Sequence, residues 1–370
     1  MLGLGSRHPI GIDLGDQRIC AAQLKQTGET LSVSGLWHRD FDAYADGLPE
    51  EDDALVSVLK GITRSKQFQG RSVVVHLPSQ NIISFPIQFQ VGEEGESVDE
   101  NIVRESDTHL SFPIEDAILD YPTLIAKPSG VRTDYKAIIA AVQRDRVQQY
   151  LSIFKRAGLT VEAVDFSVAS LIRLHEQLHG PVNDMTLLCH IGFRQSFLAV
   201  VTDKGILAQR YFTWGFQSLL DKILANLELP ADRATFILNK YGLAYEDLKN
   251  ADDRTDRPSD ETMVNLHRAL YQIITPYIDE LIYEFHTITS YMRQEEQNRV
   301  FDGIYMYGCA SMMQSLGSYA GRRISLPVKE VNPLVEMDMT STNGSMLPDI
   351  SEGAPFALAL GLAMRKVSWL

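Results

Sequence analysis

The chain has 370 residues, 45% of them hydrophobic and 22% charged, with a formal net charge of -14 at pH 7. That length suits about two or three domains with sizeable cores, and the acidic balance argues against nucleic acid, whose phosphates demand a basic surface. No apolar run reaches the ~20 residues that cross a bilayer and Met1 to Pro9 has no signal-peptide core; the three cysteines, Cys20, Cys189 and Cys309, form no spaced pair, as expected in a reducing cytoplasm.

In chain order, Ile10 to Leu24 reads as an apolar strand, a tight turn carrying Asp13 and Gly15, and a second strand alternating through Ile19, Ala21 and Gln23. Such a hairpin can present backbone N–H groups and a carboxylate to a phosphate and its metal ion, although Asp-x-Gly is also ordinary turn chemistry. An acidic loop, Asp40 to Asp53, leads to a helix from Ala54 to about Thr63, and Ser72 to Leu77 is a β-branched run expected to be a buried strand. The charge run Glu93 to Glu100 reads as a solvated boundary before a helix around Asn101 to Leu110.

Residues 82–145 read as an inserted module, with strand-like runs at Pro122 to Ala126 and Tyr135 to Val142. A helix from Arg144 to Arg156 is capped by Gly158; the strand Thr160 to Asp165 and a helix from Ser167 to Leu178 close the first half near residue 183.

The second half, 184–354, opens by repeating the first hairpin. Setting Asp13 on His190 also sets Ile10 on Leu187, Ile12 on Cys189, Gly15 on Gly192 and Ala22 on Ala199, which implies two related halves. A third strand, Ile206 to Phe212, precedes a helical subdomain at 213–298. Its helices are expected at Ser218 to Leu227, Ala231 to Lys240 and Thr262 to about Gln294, the last kinked or split by Pro276, with a polar loop at Leu248 to Pro258. Strands at Gly303 to Tyr307 and up to Leu334 follow, then a loop from Met339 to Gly353. The closing segment 355–370 reads as a helix packing back on the first half, where Ala359 and Gly361 permit close approach.

The module and the chain's end resemble the PilM family, cytoplasmic actin-like proteins of type IV pilus assembly. The resemblance is carried by Glu105 to Tyr121, in which Ser111 stands for the family's first proline, by Ala137 to Val147, Arg156 to Leu159 and Ala163 to Asp165, and by Pro327 to Pro333 and Ala357 to Ala363. It implies an α/β, actin-like fold of duplicated ribonuclease-H-like halves with a small inserted subdomain, like that of the cell-division protein FtsA. It also implies ATP with Mg²⁺ in the cleft and the N-terminal tail of the inner-membrane protein PilN in a groove beside the module. Phe112, Pro113 and Tyr121 are candidates for that groove or for the module's core. Through such a tail an acidic protein without a span would sit peripherally at the inner membrane and reach the pilus motor ATPases.

The nucleotide loops depart from the family pattern. Asp13 and Gly15 match, but Asp16 stands where a hydroxyl belongs, and a carboxylate repels phosphate. His190 replaces an acid beside Gly192, although it also reads as a strand-end histidine, and neutral imidazole is a poor Mg²⁺ ligand. The turn after Tyr307 keeps only Gly308, with side chains at Cys309 and Ala310, and Gly215 is followed by Phe216 instead of a second glycine. Lys240 matches a family lysine near the nucleobase. The expectation is a scaffold with a degenerate cleft and no hydrolysis; the alternatives are an active ATPase or kinase of the superfamily, or the cytoplasmic domain of a type II secretion scaffold. No Gly-x-Ser-x-Gly elbow, His-Glu-x-x-His, Cys-x-x-Cys or Walker loop competes.

Overall fold

The computed structural model describes residues 6–41, 52–92, 97–246, 261–309, 313–339 and 352–366. The expected loops at Asp40 to Asp53, Leu248 to Pro258 and Met339 to Gly353 fall largely outside these, as do Glu93 to Gly95 and Ala310.

In the first half, alternating apolar residues build β1 (Ser6–Arg7), β2 (Ile10–Leu14), β3 (Arg18–Thr27) and β4 (Thr30–Asp40), then α1 (Asp52–Arg64) and β5 (Ser72–His76). The insertion comprises β6 (Ile83–Gly92), α2 (Val98–Asp107), β7 (Ala117–Asp120), β8 (Leu124–Ser129) and β9 (Arg132–Gln143). The chain returns through α3 (Arg144–Arg156), β10 (Thr160–Asp165) and α4 (Ser167–His179). The second half holds β11 (Met185–Ile191), β12 (Ser196–Thr202), β13 (Gly205–Phe212), α5 (Phe216–Leu227), α6 (Ala231–Tyr241), α7 (Glu261–Glu295), β14 (Phe301–Gly308), α8 (Leu316–Ile324), β15 (Val328–Glu330) and α9 (Pro333–Glu336). The short helix α10 (Ala357–Ala363) follows.

The two main sheets repeat one topology. The first runs β4-β3-β2-β5-β10, with β1 on the far end of β3; the second runs β13-β12-β11-β14-β15. In each, the hairpin strands are antiparallel and the two strands beyond are parallel. Register repeats as well: Asp13 pairs with Cys20, and His190 with Phe197.

The third sheet, β6-β9-β7 with β8 also on β9, belongs to the insertion. The expected run at Pro122 to Ala126 is displaced to β8, and β6, which contains Pro86, was not among the expected strands. That proline is tolerated because β6 pairs with β9 alone among the described strands, so its missing N–H leaves the ladder intact. Helix α2 begins earlier than expected, at Val98, because Ser97 and Glu100 form a capping box: Ser97 N–H donates to Glu100 Oε2 at 2.7 Å and Glu100 N–H to Ser97 Oγ at 3.2 Å.

Helix α7 is continuous across Pro276, one helix of 35 residues, so the chain is not split there. Ile274, Ile278, Leu281 and Phe285 are buried in the second-half core, and Trp214 Nε1 donates to the Tyr277 carbonyl at 2.9 Å. Packing on both sides of the proline outweighs the one backbone donor it removes. The seam between halves is filled by α4 and α10, with Val168, Leu171 and Leu174 against Leu358, Leu360 and Ala363. Gly11 lies on the backbone of Ala359, and Gly361 on that of Ser170.

Candidate functional site

The parallel pairing of β2 with β5 sets Ile12 beside Val75, and so brings Asp13 to His76 at the strand ends. His76 Nε2 donates to Asp13 Oδ1 at 2.7 Å, and both side chains are buried. His76 Nδ1 lies 3.0 Å from the Leu77 carbonyl and 3.1 Å from Ser167 Oγ. Burial alone would depress the imidazole, but the hydrogen bond and charge of Asp13 outweigh it and hold His76 above its ordinary value. With acceptors at both ring nitrogens, the ring is placed to carry a proton.

The second hairpin faces this pair. His190 stacks on Phe197 with ring centroids 5.3 Å apart. Burial holds it down at about 4, with Asp13 opposing that shift and His76 reinforcing it. It is therefore neutral near pH 7 and offers a nitrogen, not a carboxylate, to the cleft.

A cavity of about 580 Å³ joins the hairpins, lined by Asp13, Gly15, Asp16, His190, Gly192 and Gly308. Six of the sequence-predicted residues thus meet at one place. The glycines at the two turns serve the turns themselves. Gly15 N–H donates to the Arg18 carbonyl at 3.1 Å, and Gly192 N–H to the Gln195 carbonyl at 3.1 Å. At Gly15 an added Cβ would stand 2.8 Å from the Arg18 oxygen, and at Gly192 it would overlap the Gln195 oxygen. Gly308 has φ +84, a left-handed conformation that disfavours a side chain.

Two predicted residues lie elsewhere. Gly215, the N-cap of α5, packs against the backbone of Phe193 and Arg194 and is not among the lining residues. Lys240 turns away, its Nζ lying 5.2 Å from the Phe236 ring centroid and 5.4 Å from that of Tyr241. Helix α6 instead presents Thr235 and Asn239, one turn apart, to the cavity. Asn239 Oδ1 is buried with no hydrogen-bond partner. Sequence reasoning missed His76, Thr235 and Asn239. A histidine ending the run Val73 to Val75 was the available signal for the first.

The module residues lie in the insertion, and none lines this cavity. Tyr121 packs half-buried on the module core, and its hydroxyl donates to Asp99 Oδ1 at 3.2 Å. Phe112 is half-buried, and Pro113 is exposed before a 3-10 turn at Ile114–Asp116. The inserted sheet touches the second half through Thr123, whose Oγ1 accepts from the Ile206 N–H at 3.0 Å.

Among the described residues, no group of three or more His, Cys, Asp or Glu side chains is placed to hold a metal ion, and no helix is long and apolar enough to cross a membrane.

Comparison with solved structures finds a PilM-PilN type IV pilus biogenesis complex, 21% identical with TM-score 0.74, covering 98% of this chain and 99% of that one. The ethanolamine utilization protein EutJ from Carboxydothermus hydrogenoformans is 12% identical with TM-score 0.52, covering 97% of this chain and 89% of that one. These likenesses carry the fold, which is actin-like. No curated protein sequence matches the chain. The family described as type IV pilus assembly protein PilM matches residues 11–367. On that near-complete match, the chain belongs to the PilM family of type IV pilus assembly proteins.

Proposed function

We propose that the protein is a non-hydrolysing scaffold of pilus assembly, tethered at the inner membrane by the cytoplasmic N-terminal tail of a PilN-like partner. One observation carries the cleft half of this reading. Asp13, the acid expected to orient a hydrated Mg²⁺, is hydrogen-bonded to His76, whose imidazole it holds above the ordinary value, and the facing position is His190, which burial holds at about 4 and so neutral near pH 7. Two imidazoles, one of them already occupying Asp13, do not replace the oxygen ligands that Mg²⁺ requires. The residues present therefore do not fit Mg-ATP.

The partner half is supported by family membership and by the neighbouring structure's complex with PilN. An extended tail binds through sheet-edge hydrogen bonds and side-chain pockets. Strand β6 leaves one long edge without a neighbour among the described strands, and Phe112, Pro113 and Tyr121 are the candidate contacts. From there the scaffold relays position to the cytoplasmic motors.

Titrating the partner's synthetic tail into the purified chain tests this half, and truncating the tail in cells should release the protein from membranes. Unchanged membrane association would sink it. Calorimetry with millimolar Mg-ATP tests the cleft, with no binding heat expected.

The orphan Asn239 Oδ1 in a cavity of about 580 Å³ favours a second reading, an ATPase or kinase of the same superfamily, because it awaits a donor such as a base amine. That reading requires Mg-dependent phosphate release that Asp13→Ala abolishes.

A further inference from the structure

The inserted module is built into both halves, and its central strand shows how. The run Ala137 to Val142 in β9 is buried on both faces. Ala137, Ile139 and Ala141 pack in the module's own core with Phe85, Phe89 and Ile102. From the opposite face, Val142 joins the core of the first half. Ile138 joins the core at the seam, with Phe197, Val201 and Ile206 of the second half. Alternation along the strand thus gives one stripe to the module and the other to both halves. Hydrogen bonds follow the same path. Thr123, between β7 and β8, is 8% exposed, and its Oγ1 accepts at 3.0 Å from the Ile206 N–H in β13, the outer strand of the second sheet. Further along β13, Gln209 Nε2 donates to Ser84 Oγ of β6.

Thr123 fits against β13 because residue 205 has no side chain. A Cβ on Gly205 would lie 2.3 Å from Thr123 Oγ1 and 2.8 Å from its Cγ2, and the backbone there has φ +105. We propose that Thr123 is a pin that keys the inserted module to β13 over Gly205, and that the pinned module is the form that takes the partner's tail. This deepens the scaffold reading and rests on its partner half. The reason is mechanical. The module is covalently part of the first half, yet it grips the second through Ile138, Thr123 and Ser84. It cannot turn on its own half without exposing Ile138 and stranding the Ile206 N–H, and both cost free energy. A groove beside a module held in place is preorganised, so a tail that binds there need not order it. Linkage makes the effect reciprocal: a tail that prefers the pinned module must tighten the pin. The ion pair of Lys136 with Glu295 at 3.7 Å also joins module to α7, but both side chains are about half exposed and it adds little.

The test compares the full chain with Thr123→Val, which keeps the shape and removes the acceptor, and with Thr123→Ser, which keeps the hydroxyl. Amide hydrogen exchange at Ile206 is followed with and without the synthetic cytoplasmic N-terminal tail of the PilN-like partner, and tail affinity is read by calorimetry. In Thr123→Val, exchange at Ile206 should rise at least about tenfold. Tail affinity should fall at least about threefold in the same variant, with Thr123→Ser close to the wild type in both readouts. In the wild type, bound tail should slow exchange at Ile206 at least about threefold. Unchanged exchange in Thr123→Val overturns the pin. Faster exchange with unchanged tail affinity, or tail binding that does not slow wild-type exchange at Ile206, overturns the link to the partner. Gln209→Ala, at the second tie, carries the same comparison if Thr123→Val does not fold. A wild-type chain that binds no tail overturns instead the partner half of the scaffold reading, whatever the variants do.

Discussion

His76 and Asp13 sit at the ends of neighbouring parallel strands, and the imidazole N–H meets the carboxylate at 2.7 Å with both groups buried. Removing either partner leaves a buried polar group without its hydrogen-bond partner, which costs about 1–3 kcal/mol. Asp13→Ala and His76→Ala should each destabilise the chain on that scale, and the double variant should fall short of their sum by at least about 1 kcal/mol. Strict additivity in urea unfolding would refute the coupling. Because the folded imidazole is held above its ordinary 6.5, its stabilisation is complete below about that pH and is lost as pH rises through the raised value.

His175 has the opposite sign. It is 3% exposed, and its Nδ1 lies 2.9 Å from the Tyr307 hydroxyl. Burial, then the charges of His179 and Lys329, lower its imidazole to about 4 from 6.5. The unfolded chain binds the extra proton between those values, so stability falls as pH drops through the window, by up to ~1.4 kcal/mol per pH unit. Between pH 6.5 and 4.5, His175→Gln should lose about 2 kcal/mol less stability than the wild type. Parallel pH profiles of the two proteins would contradict this.

Gly11 and Gly361 hold α10 against the first half by having no side chain. A Cβ on Gly11 would overlap the Ala359 carbonyl oxygen, and one on Gly361 the Ser170 carbonyl oxygen. Neither obstacle is a flexible side chain, so Gly11→Ala and Gly361→Ala should each cost about 3 kcal/mol or more, at the upper end of overpacking. Thermal unfolding checks it; a change under about 0.5 kcal/mol would mean that α10 can shift at little cost.

Phe112→Ala and Tyr121→Ala should each weaken tail-peptide binding by about tenfold, the scale of truncating an aromatic interface anchor. Tyr121→Phe removes only the bond to Asp99 and should change affinity by less than about threefold. Equal affinities for all three variants and the wild type would assign these rings to the module's fold alone.

Much of this was legible in the sequence because it is written in local pattern. The repeat of Ile10 to Ala22 at Leu187 to Ala199 became two sheets with the same strand order and register, since short apolar strands buried on both faces pair in few ways. Strand β6 was not foreseen; its Pro86 fits a strand at an edge, and whether a strand lies at an edge is not a local property. Pro276 suggested a break in α7 for a similar reason: the loss of one donor is local, whereas the burial that offsets it is not.

By itself the sequence determined the duplicated actin-like plan, the family, and the unusual residues Asp16 and His190 at the two hairpins. Only the tertiary structure decided what those residues meet. Asp13 and His76 are 63 positions apart, and Asp16 lines one cavity with Gly192 and Phe193 of the other half. Lys240 turns to its aromatic neighbours while Asn239 enters the cavity. Strand and helix periodicity are set by neighbours a few residues away, so they can be read along the chain. Charge pairing and desolvation depend on groups that only the folded backbone brings together.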